Sequence, residues 1–396
     1  MKKKLVLAFS GGLDTSFCVK YLTEEKGFEV YTAIANTGGF SEAELETIEK
    51  KAYKLGAKKH VSIDITEDYY QKCIRYMVYA NVLRNNTYPI SVSSERVFQA
   101  LAIIGYAKSI GAGYVAHGST GAGNDQVRFD LTFQVLAPEI EILAPIRELS
   151  LSREEEIDYL RKHGVDDDFA KMQYSINQGL WGTSIGGKET LTSLKPLPDE
   201  AYPTQLQAKE PEVIELTFEK GELKAIDGIR YKSGAAIIQA LEAKAAPYAI
   251  GRDIHVGDTI IGIKGRVGFE AAAPLIIIKA HHLLEKHTLT KWQLYWKEQL
   301  GNWYGMFLHE SLYLEPVMRN IEVFLEDTQE TVNGSVFVAL KPCHFELQGI
   351  DSPNDLMSSA FGVYGEESKA WKGEDVIGFT KIMANYLKIY NSVNKK

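Results

Sequence analysis

The sequence predicts an α/β protein: a doubly wound parallel sheet in the first 165 residues, then an α+β domain and a C-terminal helix. Three observations carry that expectation. Short apolar, β-rich runs alternate with longer helical patterns up to about residue 165. A glycine-rich turn stands directly between the first run and the first helical pattern. Beyond residue 165 the alternation stops, and four of the 12 prolines fall between Lys195 and Pro211.

The strands are expected at Leu5–Phe9, Val30–Ala35, His60–Ile65, Tyr114–His117 and Ile140–Ala144. Most are continuous apolar runs, as in a sheet covered on both faces. Between them, Ser41-x-x-Glu44 is a capping box that opens a helix carrying Leu45, Ile48, Ala52 and Leu55 on one face, with Gly56 as its stop. Val97, Leu101 and Ile104 form a second stripe ending at Gly111, and Ser152-x-x-Glu155 opens a third helix with Ile157 and Leu160. Asp166-Asp167-Asp168 reads as a solvated junction. After it come a hairpin (Val213–Phe218 with Leu223–Ile226, turning at Lys220-Gly221) and a helix from Ser233 to about Ala245. Further helices are expected over 274–287 and 290–310, strands over Ser335–Leu340 and His344–Ile350, and one helix over Val376–Tyr390. A terminal helix of this kind docks on another subunit or on its own chain. The units are thus 1–165, 166–365 and 366–396.

Composition narrows the function. The chain has 396 residues, 45% hydrophobic and 24% charged, which excludes disordered and collagen-like classes. Lys and Arg number 44 against 52 Asp and Glu, a net charge of −8. A protein that wraps nucleic acid usually carries a basic surplus, so a nucleic-acid partner is not expected. Cys18, Cys73 and Cys343 are far apart and show neither a disulfide framework nor zinc spacing, which suits a reducing compartment. The run after Met1-Lys2-Lys3-Lys4 is too short for a signal peptide, and no stretch approaches 18 apolar residues. A cytoplasmic protein without a membrane span is expected.

The strongest local signal is Ala8-Phe9-Ser10-Gly11-Gly12-Leu13-Asp14-Thr15-Ser16. Paired glycines let the backbone turn tightly beside a ligand. Ser10, Thr15 and Ser16 add hydroxyl donors to the free N–H groups of a helix start, which suits a pyrophosphate. The plainer reading is a helix N-cap with a glycine turn. A rival phosphate loop, Gly182 to Lys188, has the G-x-x-x-x-G-K spacing. Glu189 stands where a Ser or Thr would bind magnesium, and no apolar strand precedes it, so the match is coincidental.

The second signal, His117-Gly118-Ser119-Thr120-Gly121-Ala122-Gly123-Asn124-Asp125-Gln126-Val127-Arg128, follows the fourth strand, at the sheet edge where ligands bind. Thr120, Asn124 and Asp125 offer donors and an acceptor to a zwitterionic amino acid, and Arg128, one turn on, can fork onto a carboxylate. His117 is either a proton shuttle or a structural strand-end histidine.

The first segment resembles the pyrophosphate loop of the N-type ATP pyrophosphatases, whose domain is Rossmann-like. The second is similar to the signature of the argininosuccinate synthase family, and the likeness extends more loosely over nearly the whole chain. It implies ligation of L-citrulline to L-aspartate with ATP and Mg2+, through citrullyl-AMP, releasing pyrophosphate and AMP. By position, Ala8, Phe9, Ser10, Gly11, Gly12, Leu13, Asp14, Thr15, Ser16, Ala35 and Gly118 would hold ATP. Thr120, Asn124 and Asp125 would hold aspartate; Tyr88, Ser93, Asn124, Arg128, Ser175 and Ser184 would hold citrulline. The resemblance implies no protein ligand for Mg2+, which ATP carries, and a homotetramer tied by the C-terminal segment.

Two positions depart from the family. Its Glu and Tyr, which contact the amino-acid end of citrulline, fall here on Gly257 and Phe269. Either Asp258 takes the ammonium through a shifted loop, or the substrate is an N-acylated citrulline with no ammonium to bind. A tRNA-modifying adenylase of the same superfamily and a non-catalytic nucleotide sensor are the remaining alternatives; the first would need a basic face and usually a cysteine pair.

Overall fold

The computed structural model describes residues 3–165, 174–358, 364–365 and 370–395. Five strands open the chain: β1 (Lys4–Ala8), β2 (Glu29–Asn36), β3 (Lys59–Asp64), β4 (Tyr114–Ala116) and β5 (Glu141–Leu143). They pair in parallel in the order β3-β2-β1-β4-β5, a doubly wound sheet whose order reverses between β1 and β4. All five expected strands are present within a residue or two of their expected ends.

Alternation along β1 explains why the sheet is covered twice. Leu5, Val6 and Leu7 are all fully buried. Leu5 and Leu7 join Phe17, Leu22, Ile48, Leu55 and Leu160 on one face, beneath the helices Leu13–Glu24, Glu42–Leu55 and Arg153–Lys162. Val6 faces the other way, into a core it shares with Ile103, Ile104, Trp181, Ile276 and Leu340. Each such side chain contributes about 1.5–3 kcal/mol by leaving water. Both expected capping boxes form, Ser41 with Glu44 and Ser152 with Glu155, and Gly56 closes its helix in the left-handed conformation.

The rest of the chain supplies β6 (Ser175–Gly179), β7 (Gly182–Gly186), β8 (Glu212–Glu219), β9 (Glu222–Ile226), β10 (Ile229–Arg230), β11 (Arg252–Asp258), β12 (Lys264–Glu270), β13 (Gly334–Lys341) and β14 (His344–Asp351). They form two antiparallel sheets, β10-β9-β8-β13-β14 and β11-β12-β7-β6. The hairpin, the helices Gly234–Ala245, Ala272–Thr288 and Lys291–His309, and the two late strands agree with expectation. The β11-β12-β7-β6 sheet was not anticipated. Its strands are short and rich in glycine and polar residues, so they lack an apolar alternation.

The C-terminal stretch also differs from expectation. It forms two helices, Gly373–Met383 and Asn385–Asn394, and nothing in the sequence at Ala384 announces the break. Neither helix has a buried residue; Ile382 is 70% exposed and Val393 76%. The reading in which this segment packs on its own chain is therefore corrected. The Asp166–Asp168 junction and the boundary after residue 365 lie outside the described residues.

Candidate active site

The first loop is built by the end of β1. Phe9 N–H donates to the Ala33 carbonyl at 2.9 Å, extending the β1–β2 ladder by one step. Gly11 then takes φ +77°, a conformation costly for other residues, and Gly12 is the extended N-cap of Leu13–Glu24. No side chain caps that helix, so its first-turn N–H groups remain available to an anion. The Ser10 and Thr15 hydroxyls lie 3.4 Å apart over this turn. Phe9 and Leu13 are buried, so their share in any anion site is backbone alone, and Ala8 is the last residue of β1. Ser16 corrects the expectation of a third hydroxyl donor: it is fully buried and donates to the Gly12 carbonyl at 2.6 Å, bracing the turn instead.

Beneath the loop, two carboxyls meet. Burial and the neighbouring Asp14 charge push Glu156 up to about 8, and burial also raises Asp14. Glu156 therefore keeps its proton near neutral pH and limits the negative charge behind the turn.

The β4 loop closes on the β1 loop from the other side of the switch point. A Cβ at Gly118 would lie 3.1 Å from Thr15 Cγ2 and 3.3 Å from the Asp14 backbone carbon. His117 is buried; Ser119 N–H donates to its Nδ1 at 3.2 Å, and its Nε2 meets Asp130 at 2.8 Å. Asp130 is held in turn by Arg147 at 2.7 Å. With both ring nitrogens engaged, His117 ties the start of this loop to Asp130. Ala35 lies near the carboxyl end of β2, beside Ile63 of β3, with its side chain in the core.

The following helix, Asp125–Leu136, presents Asp125 to two guanidinium groups, Arg96 at 2.9 Å and Arg128 at 2.8 Å. Burial pushes this carboxylate up, but the two cations overcome it and hold it at about 2. Asn124 accepts from Ile260 N–H at 2.9 Å and so joins the helix start to the β11–β12 turn. Thr120 is exposed at the loop tip. Arg96, which the sequence reading missed, also donates to Asn177 at 3.0 Å. Its signal was present, since Arg96 lies eight residues after Tyr88 on the helix that begins at Ser91.

The second half of the chain completes the cleft. The Tyr88 hydroxyl meets Ser184 at 2.9 Å, and its ring lies 5.2 Å from those of His255 and Phe269. In register, Ser184 of β7 stands between Asn177 of β6 and Phe269 of β12. Ser93 is buried on the helix Ser91–Ser109. Ser175, by contrast, begins the edge strand β6 and is exposed, two residues outward from Asn177. Arg128 is 3% exposed, and its Nη2 donates to the His309 carbonyl at 3.3 Å. Asp258 does not enter the cleft. It is exposed and pairs with Lys264 at 2.7 Å, so the idea that it receives an ammonium is corrected. The Gly182–Lys188 segment is mostly strand β7, paired on both sides, which removes it as a phosphate loop.

The chain matches two family models that together span most of it: the arginosuccinate synthase N-terminal HUP domain over residues 4–166, and the arginosuccinate synthase C-terminal domain over residues 174–390. It is 37% identical over 390 residues to an argininosuccinate synthase of Dictyoglomus turgidum, covering 98% of this chain and 97% of that protein. The Methanocaldococcus jannaschii argininosuccinate synthase is 36% identical over 370 residues, covering 93% of each chain. The Xanthomonas campestris pv. campestris argininosuccinate synthase is 36% identical over 405 residues, covering 99% of each. With a doubly wound nucleotide domain closed by an antiparallel second half, the chain belongs to the argininosuccinate synthase family.

Proposed function

We propose that this enzyme ligates citrulline to aspartate at the expense of ATP, in arginine biosynthesis, with the cleft residues in the following roles. The observation that carries this reading is the close approach of Gly118 to Thr15, where a Cβ would not fit, which supports setting the phosphate turn and the amino-acid-binding helix side by side. The Gly11–Gly12 turn and the uncapped N–H groups of Leu13–Glu24 receive the β- and γ-phosphates, with Ser10 and Thr15 beside them. Ala35 and Gly118 border the nucleotide. No side chain is assigned to Mg2+, which ATP would carry and which would supply positive charge against the leaving pyrophosphate.

A neutral ureido oxygen is a weak nucleophile, so alignment is the protein's main contribution. Tyr88, Ser93, Ser184 and Arg128 hold citrulline, with Ser175 at the rim and Asn124 between the two amino acids. The ureido oxygen bonds to the α-phosphorus and pyrophosphate leaves. Thr120, Asn124 and Asp125 hold aspartate, whose amine then attacks the ureido carbon and displaces AMP. Asp125, kept ionised by Arg96 and Arg128, is suited to the aspartate ammonium. No side chain need form a covalent intermediate. The test is AMP and pyrophosphate release, with ATP, citrulline and aspartate each omitted in turn; release without either amino acid would contradict the assignment.

We further infer a cytoplasmic homotetramer without a nucleic-acid partner. Cys18 and Cys73 are free and buried, and no helix among the described residues is long and apolar enough to cross a membrane. The bare terminal helices supply the apolar surface for assembly. A tRNA-modifying adenylase finds no support in a net charge of −8.

A further inference from the structure

A buried carboxyl stands at the seam between the parallel sheet and the β6–β7 hairpin. Glu95 lies on the helix Ser91–Ser109 and is 1% exposed. Thr37, the first residue past β2, donates its hydroxyl to Glu95 Oε2 at 2.9 Å. From the other side the hairpin closes over the same carboxyl: a Cβ at Gly179, the last residue of β6, would overlap it. The two flanking segments also touch each other. Leu180 N–H donates to the Thr37 carbonyl at 3.1 Å, and a Cβ at Gly39 would overlap the Gln178 carbonyl. β2 is paired on both sides in the parallel sheet, whereas β6 is an edge strand, so the hairpin is the partner that yields.

The hairpin seated in this way carries cleft residues. In register, Gly179 stands opposite Gly182, and two steps along, Asn177 stands opposite Ser184. Asn177 accepts from Arg96, which also holds Asp125, and Ser184 meets the Tyr88 hydroxyl. Two neighbours on one helix, Glu95 and Arg96, thus meet the hairpin at its turn and partway along β6. Glu95 Oε1 is buried without a hydrogen-bond partner, so an ionised carboxylate would be costly here and the neutral acid far less so. Burial pushes Glu95 up to about 7, against Arg96, the Thr37 hydroxyl and the Trp181 backbone. Tyr69 and Cys73 also face it, and burial keeps both of them neutral. Thr37-Gly38-Gly39 and Gly179-Leu180-Trp181 bring no charged side chain.

Resting on the ligase reading above, we propose that Glu95 is a positioning residue for the reaction: its carboxyl, tied to Thr37, is the floor on which the β6–β7 turn rests, and it so fixes Asn177 and Ser184 beside Asp125 and Tyr88. Glu95 touches no substrate, and no bond is made or broken through it. Its effect passes through the hairpin, where a displacement on the order of 1 Å is enough to misalign citrulline. The seam is intact below pH 7, where the acid keeps its proton, and loosens as the pH rises through that value and a buried charge appears.

The test measures KM for citrulline and for ATP by pyrophosphate release at pH 6, 7 and 8, with a melting curve for every variant. Glu95→Ala removes the acid, and Thr37→Val removes its donor while keeping the shape. Each is expected to raise citrulline KM by about fivefold or more and to change ATP KM by less than about twofold. The double variant should be no worse than Glu95→Ala, because both changes break one contact. Parent citrulline KM is expected to rise about threefold or more from pH 6 to pH 8, and that of Glu95→Gln to stay level near the parent's value at pH 6. Should Glu95→Ala fail to fold, Thr37→Val and Glu95→Gln carry the same outcomes. An unchanged citrulline KM, or both KM values rising alike as the melting temperature falls, overturns the proposal and leaves the ligase reading standing. A Glu95→Gln profile that climbs with pH as the parent's does overturns it too. No pyrophosphate from the parent with ATP, citrulline and aspartate overturns the ligase reading, and the proposal with it.

Discussion

Gly118 leaves no room for a side chain beside Thr15 across the switch point of the parallel sheet: a Cβ on the glycine would lie 3.1 Å from the threonine's Cγ2. The two residues belong to the loops that leave β4 and β1. Their proximity joins a turn shaped for phosphates to a helix that presents Asn124, Asp125 and Arg128, so one short contact couples the two halves of the chemistry.

Gly118→Ala tests that coupling. The added methyl presses on Thr15 and on the Asp14 backbone, and backbone cannot turn aside as a side-chain end can. Overpacking costs about 1–3 kcal/mol, which is a several-fold or greater rise in ATP KM. Steady-state kinetics with a thermal melt separates this from global unfolding; an unchanged ATP KM would remove Gly118 from the nucleotide site.

Glu156 makes the pH dependence of this region calculable. Its carboxyl titrates near 8 in the folded chain, far above an unfolded carboxyl, because burial and Asp14 oppose its charge. The native state thus binds the extra proton between those two values. The associated stability is complete at low pH and is lost as the pH rises toward 8, by on the order of 3 kcal/mol. Melting curves of Glu156→Gln should be flatter with pH than those of the parent between pH 5 and 8. Parent ATP KM should climb above pH 8, where a second negative charge appears behind the phosphates, and that of the variant should not.

Arg96 positions Asp125 without belonging to the family signature. Arg96→Gln removes a charge-assisted hydrogen bond worth about 2 kcal/mol and leaves Arg128 as the sole cation on that carboxylate. Aspartate KM is expected to rise more than ATP KM, and the Asp125 carboxyl to titrate above its present value of about 2. Equal effects on both KM values would mean that Arg96 acts on the fold alone.

The exposed apolar residues of Gly373–Met383 and Asn385–Asn394 predict dependence of assembly on this segment. Deleting residues 371–396 should convert the proposed tetramer to smaller species, measured by light scattering after size exclusion. A truncated chain that remains tetrameric would place the interface elsewhere.

Much of this was legible in the sequence because local signals were strong. Apolar runs gave the buried strands, Ser41 and Ser152 gave their capping boxes, and Gly11-Gly12 after β1 gave the tight turn that opens the first helix. The polar β11-β12-β7-β6 sheet was hidden, because its pairing rests on backbone and on contacts distant in sequence. For the same reason the surroundings of Ser184, Phe269 and Gly257 could be placed only by resemblance. Arg96 stands in no motif of its own, and the inward turn of Ser16 could not be told from its neighbours' hydroxyls. Arg84, Arg128, His255 and His309 come together from four distant segments, so no spacing could reveal their proximity.

The central claim is that the ureido oxygen attacks the α-phosphorus of ATP in this cleft. The most direct measurement supplies the citrulline-type substrate with heavy oxygen in its ureido group and follows the label by mass spectrometry. The account predicts one labelled oxygen in AMP and none in pyrophosphate. Label in pyrophosphate or inorganic phosphate, or label retained in the amino-acid product, would contradict it.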